Sequence, residues 1–309
     1  MDSNLFLHPV TKLMTTLFIM VTSFFVFFLL GYVLAVPLFD LSFQELSGIL
    51  SGKGQQMHPH LIKYFQILQT FGLFVVPPFI VARSLSNEPV RYLGFNEQPS
   101  AWSLFTVVVL IFASLPLVNF LAQLNQNIHL PEQFGSLEQW LVNREENARQ
   151  MTDQFLRARS LGALAINLLM VAVLPALGEE LLFRGVVQKI FSEWTRSVHW
   201  GIVIAAFLFS AMHVQFYGLI PRMFLGILFG YLLVWSGSMW LPVLAHFVNN
   251  ASAVVYYYFV QDEMAFSSTG YDFLGEHVTG VIFSTIMVGL CCYLVYILGR
   301  NHLRPKSHY

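Results

Sequence analysis

Runs of about 20 apolar residues recur along this chain, and that is the length a helix needs to cross the hydrocarbon core of a bilayer. Candidate spans fall at 13–36, 62–82, 101–122, 161–191, 200–216, 219–235, 240–260 and 278–299. Lipid offers the backbone no hydrogen-bond partners, so a spanning segment must pair its own amides, which a helix does. The pattern predicts an all-α integral membrane protein, a bundle of about eight transmembrane helices. Pro221 and Arg222 interrupt the sixth span, so it and the fifth are the least regular. The first stretch, Leu13 to Phe39, exceeds the roughly 7–15 apolar residues of a secretory signal and is expected to stay as the first span.

Composition agrees. Charged residues make up 11% of the chain and hydrophobic ones 56%, where soluble domains carry roughly 25% charged residues. A net charge of -1 offers no field for nucleic acid, which is not expected as a partner. Cys291 and Cys292 are adjacent within an apolar run, and neighbouring thiols rarely form a structural disulfide, so both read as packing residues.

Sidedness follows from the cations. With eight spans, Lys12, Arg83, Arg91, Lys189, Arg196, Arg300, Arg304 and Lys306 fall at one face, the cytoplasmic one by the positive-inside rule. Trp102, Trp194, Trp200, Trp235 and Trp240 gather near the same face, as an interfacial aromatic belt does. Both termini are then expected to be cytoplasmic and the chain multi-pass; in a bacterium the membrane is the plasma (inner) membrane. The long connection Gln123–Ser160 differs from the other loops. Ser136-Leu-Glu-Gln139 reads as a capping box opening a helix. Leu137, Trp140, Leu141, Ala148, Met151 and Phe155 recur at helical spacing against Arg144, Glu145, Glu146, Arg149, Asp153 and Arg157. This predicts one amphipathic helix at the opposite interface. The chain divides into 1–160 (N-terminal spans and the amphipathic helix), 161–260 (a polar-residue-bearing core) and 261–309 (the last span and a basic tail).

The core is where chemistry concentrates. Leu161 to Gly178 carries no charge, and Glu179-Glu180 then stand side by side with Arg184 four residues beyond the second. A carboxylate within a membrane helix costs about 2.5–3.5 kcal/mol on insertion scales. Glu180 and Arg184 share a helical face and can pair. Glu179 points about 100° away and has no local partner, which leaves it available as a general base or acid. His213 lies four residues after Phe209, and His246 four before Asn250, so imidazole and carboxamide project together. A carboxamide at such a place can donate to a developing oxyanion. At about 1.5 Å per residue, Glu179 lies on the order of 22 Å from Trp194, His213 about 20 Å from Trp200 and His246 about 9 Å from Trp240. The groups are expected to converge in one cavity below the cytoplasmic face.

These pieces resemble the CAAX-prenyl-protease type II family, also called CPBP or ABI intramembrane proteases. That family's motifs, in order, are Glu-Glu-x-x-x-Arg, Phe-x-x-x-His and His-x-x-x-Asn. Here they read Glu179-Glu180-Leu-Leu-Phe-Arg184, Phe209-Ser-Ala-Met-His213 and His246-Phe-Val-Asn-Asn250, over roughly residues 162–258. The resemblance implies an intramembrane endopeptidase acting on a membrane-associated peptide or protein, prenylated CAAX tails being the family's known targets. It implies that Glu179 and His213 activate water, that His246 and Asn250 steady the oxyanion, and that Glu180, Arg184 and Phe209 support the site. The family is often labelled metal-dependent. If zinc binds, His213, His246 and Glu179 are the implied ligands; a metal-free glutamate mechanism is equally consistent. Two other readings stay open: a proton-coupled transporter using the same ionisable groups as a relay, and a non-catalytic membrane partner protein that keeps the buried network as scaffold.

Overall fold

The computed structural model describes residues 8–51, 59–156, 160–260 and 278–303, and every regular element in them is helical. In chain order these are α1 (Pro9–Phe39), α2 (Phe43–Leu50), α3 (His60–Leu85), α4 (Pro89–Tyr92), α5 (Ala101–Gln126), α6 (Gly135–Leu156), α7 (Leu161–Thr195), α8 (Val198–Met212), α9 (Leu219–Ser236), α10 (Trp240–Val260) and α11 (Val278–Leu303). Among the described residues, six stretches are long and apolar enough to cross a membrane: α1, α3, α5, α7, Phe216–Ser236 and Val278–Arg300. The other two predicted spans fall short for different reasons. α8 has only 15 residues. α10 has 21, but His246, Asn249, Asn250 and three successive tyrosines dilute its apolar character.

Serine side chains set several helix starts by accepting from the first free amides, as N-caps do. Ser100 caps α5, Ser160 caps α7 and Ser197 caps α8. A reciprocal capping box does occur, but at Ser42 and Glu45, where it opens α2. The box expected at Ser136 and Gln139 is not an N-cap: a 3-10 turn at Glu132–Phe134 runs straight into α6, which begins at Gly135 with Ser136 already inside it. The helix itself is amphipathic as expected, with Leu137, Trp140 and Met151 exposed on its flank. The side chain of Phe155, and Arg157, lie outside the described residues.

Lys12 pairs with Glu193 at 2.7 Å, Lys189 donates to the Tyr92 carbonyl, and Trp240 Nε1 donates to the Phe95 carbonyl at 3.3 Å. These contacts gather the start of α1, the α4 segment, the end of α7 and the start of α10 at one end of the bundle. From there α8 runs inward for about 22 Å at 1.5 Å per residue, short of the ~30 Å hydrocarbon core. The chain turns through Val214, whose φ of 52° is left-handed, and returns as α9. The α8–α9 hairpin thus reverses inside the bundle. The space beyond its tip is bounded by α2 and α6.

Two apolar clusters hold the frame. Val107, Leu110 and Ile111 of α5 pack with Phe229, Leu232, Leu241 and Val295, while Val81 and Ala82 of α3 pack with Leu181, Val186 and Ile190 of α7. Because lipid tails are as apolar as leucine, close approach at small residues matters more here than burial alone. A Cβ at Gly201 would stand 2.7 Å from the Ser192 amide nitrogen and 2.8 Å from the Gln188 carbonyl oxygen, and one at Gly230 would stand 2.8 Å from Ile202 Cγ2. Gly201→Val is therefore expected to force α8 off α7 and cost about 1–3 kcal/mol, the usual range for overpacking. The check is thermal unfolding of the detergent-solubilised protein; an unshifted midpoint would contradict this contact.

Candidate active site

The site is built around a charge pair with no access to water. Arg184 Nε lies 3.0 Å from Glu180 Oε2, with side-chain exposures of 1% and 0%. The one-turn spacing makes that contact, as expected from sequence. Arg184 also donates from Nη2 to the Gly226 carbonyl at 3.0 Å and lies over the rings of Phe209 and Phe229, at 4.8 and 5.5 Å. Phe209 thus earns its place in the motif by covering the guanidinium face, a cation–π contact. One helical turn on, Gln188 Nε2 donates to the Gly230 carbonyl at 3.3 Å, so α7 grips α9 twice along its length.

Glu180 has a second partner. His246 Nδ1 lies 2.8 Å from Glu180 Oε1, and the opposite ring nitrogen, Nε2, lies 3.8 Å from Glu179 Oε2. His246 therefore bridges the two adjacent glutamates, and its ring stacks on Phe229 with centroids 5.5 Å apart. Fixing one imidazole nitrogen on a carboxylate sets the ring's orientation and aims the other nitrogen.

Glu179 does what its neighbour does not: it lines open space. A cavity of about 510 Å³ is walled by Glu179, His213, Arg222, His246, Asn249 and Asn250, among others. A second cavity, about 540 Å³, shares Glu179 and His213 but is mainly apolar, with Ile62, Phe65, Leu73 and Phe74 in its wall. Ile49 and Leu50 of α2 and Met151 of α6 also line it, and Thr152 of α6 lines the first. The site therefore lies beyond the tip of the α8–α9 hairpin, beside α2 and α6 and away from the end where Lys12 meets Glu193. His213 is the residue that ends α8, and its Nδ1 lies 2.9 Å from the Phe209 carbonyl oxygen. A carbonyl only accepts, so Nδ1 carries the proton and Nε2 is left with a free lone pair.

Asn250 owes its position to a proline. Pro175 has no N–H, so the Val171 carbonyl four residues earlier loses its helical partner. That carbonyl lies where α7 widens into π turns at Leu168–Val173, and Asn250 Nδ2 donates to it at 3.0 Å. Asn249 Nδ2 donates to Asn250 Oδ1 at 3.0 Å, which fixes the amide's facing. The amide keeps one further N–H. A second π turn, Phe183–Val187, begins just after the paired glutamates. Such turns concentrate at functional sites.

Among the described residues, no group of three or more His, Cys, Asp or Glu side chains is placed to hold a metal ion. His213 and His246 each engage an oxygen partner through Nδ1, which leaves Nε2 as the nitrogen a metal would take, and Glu179 lines the same cavity.

Arg222 is the cavity residue that sequence reasoning passed over, treating it as an interruption of a span. The available signal was a guanidinium one turn into an apolar segment, a costly placement in lipid.

The buried pair yields a stability test. Glu180→Ala leaves Arg184 charged and unpaired in the core and is expected to cost about 3–5 kcal/mol. Glu179→Gln, at the cavity wall, is expected to cost far less. Parallel denaturation curves in detergent would show the asymmetry, and equal losses would contradict the structural role of Glu180.

Residues 161–252, which hold all three motifs, match the family described as Rce1-like, type II CAAX prenyl endopeptidase Rce1-like. The uncharacterized protein YpbD of Bacillus subtilis (strain 168) is 29% identical over 89 residues, covering 28% of this chain and 42% of that protein. The chain thus spans less than half the length of the curated relative it matches. No solved structure matches. The segment that carries Glu179, His213, His246 and Asn250 is the part of the chain similar to the Rce1-like type II CAAX prenyl endopeptidases, and the resemblance carried by the three motifs is borne out over residues 161–252.

Proposed function

We propose that the protein is an intramembrane endopeptidase that hydrolyses a peptide bond in a membrane-associated, CAAX-type substrate. The observation that carries this reading is that Glu179, His213, His246 and Asn250, drawn from two helices and one helix end, line a single cavity. A water between Glu179 and His213 would give its proton to the carboxylate, the imidazole Nε2 accepting a second hydrogen bond and holding the attacking lone pair in line. As water adds to the peptide carbonyl, charge collects on its oxygen. His246, oriented by Glu180, turns Nε2 toward that oxygen, and Asn250 donates its remaining N–H. Glu179 then returns the proton to the leaving amine, and the carbonyl re-forms as the C–N bond breaks.

The apolar cavity beside the polar one suits a substrate that arrives through lipid with a large apolar group attached.

Glu179→Gln is expected to abolish turnover while the protein still inserts and folds. Comparing membrane proteomes of cells carrying wild type or this variant should reveal accumulated uncut precursors; a variant with full turnover, or with no precursor left behind, would remove the hydrolase reading. Because the proposed chemistry uses side chains alone, treatment with 1,10-phenanthroline is expected to leave turnover unchanged. Inhibition reversed by added zinc would instead reassign Glu179, His213 and His246 as metal ligands.

A further inference from the structure

We propose that Arg222 is the anchor for a carboxylate on the substrate, an assignment that rests on the endopeptidase reading and adds its specificity. Arg222 stands in the first turn of α9, just past the tip of the α8–α9 hairpin, and lines the same cavity as Glu179 and His246. Arg222 Nη2 donates to Gln215 Oε1 at 2.8 Å, and Nη1 is buried with no hydrogen-bond partner, as is Nη1 of Arg184. What separates the two is the ion pair: Arg184 has Glu180 at 3.0 Å. Among the described residues, no carboxylate lies within ion-pair distance of it. Glu145 and Glu179 reach it only through their longer-range fields, and Glu145 is engaged in accepting from the Tyr217 amide at 3.2 Å.

A guanidinium at this depth is costly without a partner. It remains protonated, so it cannot act as a base. What it offers is a planar fork of donors that fits a carboxylate. The turn is shaped to leave it room: a Cβ at Gly218 would stand 2.8 Å from Arg222 Nη2. A cavity that holds hydrolytic groups and an unsatisfied cation selects for a substrate that brings its own anion. That anion has two sources with the same chemistry, the free C-terminus of a peptide or an Asp or Glu side chain near the cleaved bond.

Three versions of one N-acetylated apolar hexapeptide separate them: a free C-terminal acid, a C-terminal amide, and the amide with one internal Glu. Binding is measured on full-length Glu179→Gln in detergent, and turnover on the wild type. The free acid or the Glu peptide is expected to bind about tenfold more tightly than the plain amide, as one charge-assisted contact allows; whichever does so identifies the source. Adding Arg222→Gln should bring that ratio to about one, and Arg222→Lys should restore part of it, a point charge being a weaker match than the fork. Equal binding of all three peptides, or discrimination that survives Arg222→Gln, would overturn the anchor. So would a fall in kcat that Arg222→Gln causes equally for acid and amide, which would assign Arg222 to the oxyanion. An acid preference in binding without wild-type turnover would sink the endopeptidase and leave the anchor standing. Turnover that depends on Glu179 without any preference would sink the anchor alone.

Discussion

Glu180 and Arg184 meet where neither can reach water, and the rest of the site is arranged around their pairing. Two opposite charges in a low-dielectric core are tolerable only with good geometry and with their remaining hydrogen-bonding capacity largely used. The protein meets that condition by recruiting neighbours. Arg184 takes the Gly226 carbonyl and two aromatic faces, and Glu180 takes His246. Each added contact ties α7 to another helix, so satisfying the charges also fixes α9 and α10 against it. The imidazole that faces Glu179 is aimed by a carboxylate that belongs to the scaffold.

The cavity comes from shortness and irregularity. α8 is too short to cross, so the hairpin leaves room beyond its tip, while π turns and Pro175 loosen α7 where Asn250 must dock. Polar groups that would be a liability in a tightly packed bundle gain a wall to line. Close packing is kept at Gly201 and Gly226, where helices approach backbone to backbone, and at Gly230, which packs on the side chains of Gln188 and Ile202. The molecule is rigid around the polar groups and open between them, which is what preorganised electrostatics requires.

Much of this was legible in sequence wherever it depended on one helix. The Glu180–Arg184 pair follows from a one-turn spacing, and the membrane class follows from the length of the apolar runs. Contacts between helices were not legible, because residue spacing carries no information about rotation or tilt. His246 was expected to steady an oxyanion or to bind zinc, and its bond to Glu180 needed the relative placement of α7 and α10. Asn250's grip on Val171 was half visible, since Pro175 announces a free carbonyl without saying what will reach it. Composition marks a segment as apolar, but only its caps and turns show that α8 stops after 15 residues. The start of α6 was misplaced because Ser-x-x-Gln fits a capping box wherever it occurs, and a preceding 3-10 turn had already begun the helix.

The central claim is that one acid and two imidazoles face a common, water-filled hollow within the membrane. An experimental structure of the protein in lipid, at a resolution that shows ordered solvent, tests it most directly. The account requires a water within hydrogen-bond reach of both Glu179 and the Nε2 of His213, with His246 and Asn250 on the same hollow. A dry, side-chain-filled interior at this place, or Glu179 and His213 turned toward different compartments, would contradict it.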